Sequence, residues 1–149
     1  MKIYEIGILR NNERLVWKKY YDPPKDEYEE KFSDLICETF IYTIRNNVEY
    51  NNILSSYEMM NFHVSMIGKK NGEKSKFVSY LISDKSLGID IKKNLLSETL
   101  NKFFKKFPAP QCYNKNKATF DSFYDQLPEI VGDLPMKPPD RLSKAFGYE

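Results

Sequence analysis

One stretch constrains the fold of this chain more than any other: residues 76–107, KFVSYLISDKSLGIDIKKNLLSETLNKFFKKF. Phe77, Val78, Tyr80, Leu81 and Ile82 form a short apolar run of strand-forming residues, too short for a helix of its own and flanked by turn residues. Gly88 and Asp90 punctuate and cap. Ile91, Leu95, Thr99, Leu100, Phe103, Phe104 and Phe107 then recur at helical spacing until Pro108 ends the pattern. The stretch reads as one buried strand that turns into an amphipathic helix. The remaining segments are left to cover one face or the other of its sheet.

With 149 residues the chain is the size of one domain and can bury a real core. Hydrophobic residues at 41% and aromatics at 15% exclude a disordered chain, despite the many Lys and Asn. Twenty-three basic against 21 acidic residues leave a net charge of +2, which argues for neither nucleic acid nor membrane as a global partner. No apolar run approaches the roughly 20 residues that span a bilayer. Met1 leads straight into a strand-like pattern instead of a signal peptide. Cys37 and Cys112, without CxxC spacing, read as reduced thiols. The expectation is a cytoplasmic protein whose closest approach to a membrane is peripheral.

In chain order, residues 2–9 and 14–21 read as two strands joined by the tight connection Arg10-Asn11-Asn12-Glu13, and Pro23-Pro24 ends this hairpin. Residues 26–45 read as a helix: Tyr28, Phe32, Leu35, Ile36, Thr39, Phe40 and Thr43 fall on one stripe, with Asp26, Glu27, Glu29 and Glu30 at its positive end. Residues 53–59 and 62–69 read as strands. Lys70-Asn71-Gly72-Glu73 is a hairpin turn, because Asn-Gly accepts the positive φ of type I′. A third helix starts at Lys117, carries Phe120, Phe123, Tyr124, Leu127, Ile130 and Val131, is kinked or split by Pro128, and is capped by Gly132. Residues 1–131 thus form one domain and 132–149, with Pro135, Pro138 and Pro139, a tail. The order β-β-α-β-β-β-α-α predicts an α+β fold: a five-stranded antiparallel sheet with one helix on one face and two on the other.

Chemistry-bearing motifs are absent: no GxxxxGK[ST], GxGxxG, HExxH or GxSxG occurs. His63 is the only histidine, so a His-rich metal site cannot be built and it reads as a half-exposed strand residue. The carboxylates of the 26–45 helix spread around it as a solvated face. The expectation is therefore no catalytic residues, no metal and no cofactor. Two surfaces stand out instead. Lys92, Lys93, Lys102, Lys105 and Lys106 form a candidate basic patch for an acidic partner or anionic head groups, set against the plain reading of a solvated helix face. Cys37, Ile41, Ile44 and Val48 extend the apolar surface of the 26–45 helix beyond its main stripe. Burying such side chains contributes about 1.5–3 kcal/mol each. They form a candidate partner-binding edge, unless the tail, through Leu134, Met136, Leu142, Phe146 and Tyr148, folds back over it.

The chain resembles the longin domain. YEIGILRNNERLVWKKY is similar to its opening hairpin; Ile82-Ser83-Asp84 and the helix ending in Phe103-Phe104 are similar to its fifth strand and following helix; Phe120, Phe123, Tyr124, Gln126 and Leu127 are similar to its third helix. The likeness covers about residues 1–131. It implies non-catalytic work: longin domains bind peptides, partner subunits or small GTPases. No heptad-repeat helix or membrane anchor follows residue 131, which favours a scaffold or regulatory subunit tied to small GTPases or membrane traffic over a fusion SNARE. The alternatives are a roadblock-like homodimer acting as a GTPase-activating or scaffold protein, and a small-ligand sensor. The partners expected are a protein, a second copy or a membrane surface, and no nucleic acid.

Overall fold

Strand β5 (Lys76–Asp84) is the middle strand of a five-stranded antiparallel sheet ordered β2-β1-β5-β4-β3. The computed structural model describes residues 3–11, 13–20, 51–59, 62–70, 76–108 and 115–132. The other strands are β1 (Ile3–Arg10), β2 (Glu13–Lys19), β3 (Asn51–Met59) and β4 (Phe62–Lys70). All five lie within two residues of their predicted positions. Helix α1 spans Ile89–Lys106. The predicted 26–45 helix, its apolar edge and the 133–149 tail lie outside the described residues.

The hairpin turn between β1 and β2 is tied to β5. Asn11 has φ +52°, which asparagine tolerates because its short amide bonds locally. Its backbone N–H donates to the Lys76 carbonyl at 2.9 Å, and its side-chain Oδ1 accepts from the Lys76 N–H at 3.2 Å.

The third predicted helix is instead a 3₁₀ helix, η1 (Lys117–Gln126), followed by a short α-helix, α2 (Leu127–Val131). Phe120 and Phe123, three apart, are both fully buried. Three residues per turn puts them on one line along the segment. Pro128 then sits in the first turn of α2, where a missing N–H costs nothing, so it splits the segment and does not kink it. The Gly132 N–H closes α2 on the Pro128 carbonyl at 2.9 Å, with φ +61°.

The sheet is buried on both faces. On one, Ile3, Ile6, Ile8, Ile67, Phe77 and Leu81 pack against Leu95, Leu96, Leu100 and Phe103 of α1 and Phe120, Phe123 and Leu127 behind it. Phe103 stands at the centre, with the rings of Phe107, Phe120 and Phe123 each 5.3 Å away. The opposite face carries Tyr4, Leu9, Phe62, Val64, Met66, Val78, Tyr80 and Ile82, all buried. Among the described residues no helix packs on that second face.

Candidate functional site

The five lysines of the predicted basic patch all lie on α1, yet the fold sends them to three places. At about 100° per residue, Lys102, Lys105 and Lys106 share one side of the helix, whereas Lys93 stands roughly half a turn from Lys102. Lys92 is only 2% exposed and does not join a surface patch. The apolar edge Cys37, Ile41, Ile44 and Val48 lies outside the described residues.

Lys102, Lys105 and Lys106, with Gln126 and Glu129 from the opposing η1–α2 segment, line an open groove of about 530 Å³. Lys105 and Lys106 occupy the last turn of α1, where cations suit the negative end of the helix dipole. Lys106 Nζ donates to the Ser122 carbonyl at 3.2 Å, and Lys102 pairs with Glu98 one turn earlier at 3.2 Å. These are solvated contacts, worth about 0–1 kcal/mol apiece. The charge of the groove's three lysines suits an acidic segment.

A second polar locus lies at the other end of α1. Lys92 Nζ is 2.8 Å from His63 Nδ1 on β4, its one hydrogen-bond partner among the described residues. With the ammonium donating, Nδ1 accepts and the ring proton sits on Nε2. Burial, only partly offset by Asp84, holds the Lys92 pKa below its ordinary value. Burial first, then the charge of Lys92, holds His63 below its own, with Glu58 and Asp84 opposing. His63 is flanked in register by Glu58 on β3 and Ser83 on β5, so the three form a row across the sheet. At its outer end Glu58 and Lys85 make an exposed ion pair at 2.6 Å. The Lys85 hydrogen bond and charge hold the Glu58 carboxyl below the usual range.

Ser83 is fully buried, and its Oγ has no hydrogen-bond partner among the described residues. Side chains alternate along a strand. Ser79, two pairs earlier on β5, donates to the Leu96 carbonyl of α1 at 2.9 Å, and Leu81 belongs to the core beneath α1. Ser83 therefore faces the same helix, nearer its N-terminus. Gly88, the N-cap of α1, supplies no side-chain hydrogen bond.

Sequence reasoning read His63 as an ordinary strand residue and Lys92 as part of a surface patch. The signal for Lys92 was present: it precedes Leu95, Leu96 and Thr99 at three, four and seven residues, on the buried stripe. Among the described residues no group of three or more His, Cys, Asp or Glu is placed to hold a metal ion, and no helix is long and apolar enough to cross a membrane. No family model matches this chain, and no curated protein matches it by sequence.

Proposed function

We propose that this chain is a longin-like, non-catalytic interaction module that serves as a scaffold or regulatory subunit beside small GTPases or the membrane-traffic machinery. The observation that carries the reading is the strand order. β2 and β3, consecutive in sequence, occupy opposite edges of the sheet. The connection between them has to pass over four interstrand gaps, about 19 Å in all. The predicted 26–45 helix, about 30 Å long for its 20 residues, suits that span. Its apolar stripe suits the second face, of Tyr4, Phe62, Met66, Tyr80 and Ile82, on which no helix packs among the described residues. A crossover helix on one face opposite α1, η1 and α2 on the other is the sandwich that the longin resemblance implies. The groove of Lys102, Lys105 and Lys106 then offers an acidic segment of the partner a contact away from that crossover.

The test is affinity capture with the full chain from lysate of its own cells, loaded with GTP or with GDP, and identification of bound proteins by mass spectrometry. The expected result is a small GTPase or a GTPase-containing complex retained by the wild type and lost from a Lys102→Glu/Lys105→Glu/Lys106→Glu variant. Absence of any GTPase in both nucleotide states removes the GTPase assignment. Equal retention by the variant removes the groove as the contact.

A further inference from the structure

We propose that the corner beneath the first turn of α1, formed by Lys92, Ser83 and His63, is a binding site for a monocarboxylate bearing an apolar group. The inference is independent of the groove and of any macromolecular partner.

Three observations converge on it. Lys92 as a residue is only 2% exposed, yet the hydrogen-bond partner of its ammonium among the described residues is an imidazole nitrogen and not an anion. Buried charges are ordinarily paired with opposite charge, because an unpaired one is costly. Asp84 acts on the ammonium through its charge, while its Oδ1 accepts from the Ser86 backbone N–H at 3.1 Å and from Ser86 Oγ at 2.7 Å. Next, the Ser83 hydroxyl is fully buried, has no partner among the described residues, and faces the start of α1. A buried hydroxyl left unpaired forfeits its hydration, so a ligand acceptor recovers what the fold gave up. Finally, α1 begins on a glycine without a side-chain cap, so its positive end is open to an anion.

The chemistry of the corner selects the ligand. One ammonium and one hydroxyl match the two oxygens of a carboxylate, with His63 Nδ1 keeping the lysine in place. Asp84 and Glu58, whose charges act on His63, disfavour a dianion such as phosphate. Ile89 precedes Lys92 by three residues, on a neighbouring part of the helix surface, and is 69% exposed, an unusual exposure for so large an apolar side chain. It offers a contact for the ligand's hydrocarbon part. Such a carboxylate comes either from a free short-chain acid or from the C-terminus of a peptide ending in an apolar residue.

The experiment titrates the full chain with butyrate, its neutral analogue butyramide, inorganic phosphate, and a short leucine-terminated peptide as free acid and as C-terminal amide. Binding is read by calorimetry and by NMR shifts at Ser83, Ile89 and the His63 ring. Butyrate is expected to move these three positions and butyramide to leave them unmoved. Ser83→Ala, which removes a hydroxyl that bonds nothing among the described residues and so leaves folding intact, should weaken butyrate about tenfold, as should Lys92→Met. Lys105→Glu in the groove should not change it. A free-acid peptide that binds more tightly than butyrate, with its amide inactive, identifies a chain terminus as the source; otherwise the source is a free acid. The proposal is overturned if no carboxylate moves Ser83, if Ser83→Ala and Lys92→Met bind butyrate as the wild type does, or if phosphate binds there more tightly than butyrate.

Discussion

Gly7 on β1 and Tyr80 on β5 are register partners, and the tyrosine ring occupies the space that a Gly7 side chain would need. A Cβ at Gly7 would stand 2.6 Å from ring atoms of Tyr80. The ring cannot retreat: Tyr80 is 2% exposed, and its hydroxyl donates to Glu5 Oε2 at 2.6 Å. Glu5 in turn lies 3.6 Å from Arg14. One glycine thus lets β1 and β5 close over a tyrosine that anchors a buried carboxylate.

Gly7→Ala should therefore destabilise the fold by about 1–3 kcal/mol, the range for overpacking a filled core. Denaturant unfolding followed by the fluorescence of Trp17, the sole tryptophan and the β2 register partner of Gly7, reads the change directly. Adding Tyr80→Leu should return part of the loss, since the clash is with the ring. If Gly7→Ala is as stable as the wild type, the close approach is wrong.

Phe103→Ala should be among the most damaging single changes. Its ring meets those of Phe77, Phe104, Phe107, Phe120 and Phe123 at 5.3–6.0 Å and is fully buried. The expected cost is about 3–5 kcal/mol, a large part of the 5–15 kcal/mol that roughly bounds a domain's stability. Phe103→Leu should cost less. Thermal unfolding of the two variants orders them.

Lys92→Met should leave stability unchanged or raise it, by on the order of 1 kcal/mol, because a long apolar chain replaces a buried cation that hydrogen-bonds no anion among the described residues. A surface lysine would predict no change in either direction on a second test: Lys93→Met at the exposed neighbour should be silent within about 0.5 kcal/mol. Denaturant midpoints of both variants check the contrast. A marked loss from Lys92→Met would show that the ammonium has a strong partner in the fold.

The pH dependence follows from the same pair. The folded pKa of His63 lies below its ordinary value of 6.5, so below 6.5 the unfolded chain binds the proton first. Stability from this group is present above pH 6.5 and is lost as pH falls toward the folded pKa. Lys92, held below 10.5, acts in the same sense at the alkaline end: its contribution is full above 10.5 and falls away as pH drops toward its own folded pKa. His63 is the only histidine, so its ring resonance can be titrated without assignment ambiguity. Its midpoint should lie below 6.5 and rise in Lys92→Met, while burial keeps it under the unfolded value. A wild-type midpoint at or above 6.5 would refute the arrangement.

Much of this molecule is legible one element at a time. The apolar run 77–82, the stripe Leu95–Leu100–Phe103, the Asn11 turn, Pro128 and Gly132 each report a local rule, and each of these elements falls where its rule puts it. Side-chain periodicity says which face of an element is buried, because that depends only on 2.0 or 3.6 residues per repeat. It does not say what lies against the buried face. That β5 is central, that β2 and β3 sit on opposite edges, and that Gly7 meets Tyr80 follow from pairing between segments far apart in sequence. The basic patch shows the same division. Five lysines on one helix are a fact of sequence; tertiary packing carried Lys92 into the sheet beside His63, left Lys93 in solvent, and set Lys102, Lys105 and Lys106 across a groove from Glu129. The 3₁₀ form of η1 was not legible either: the three-residue step from Phe120 to Phe123, both packed on Phe103, suits an α-helix as well. By itself the sequence determined the elements and their buried sides, because those are set by neighbours a turn away. Only the tertiary structure decided which charges meet, because burial and pairing depend on residues brought together from across the chain.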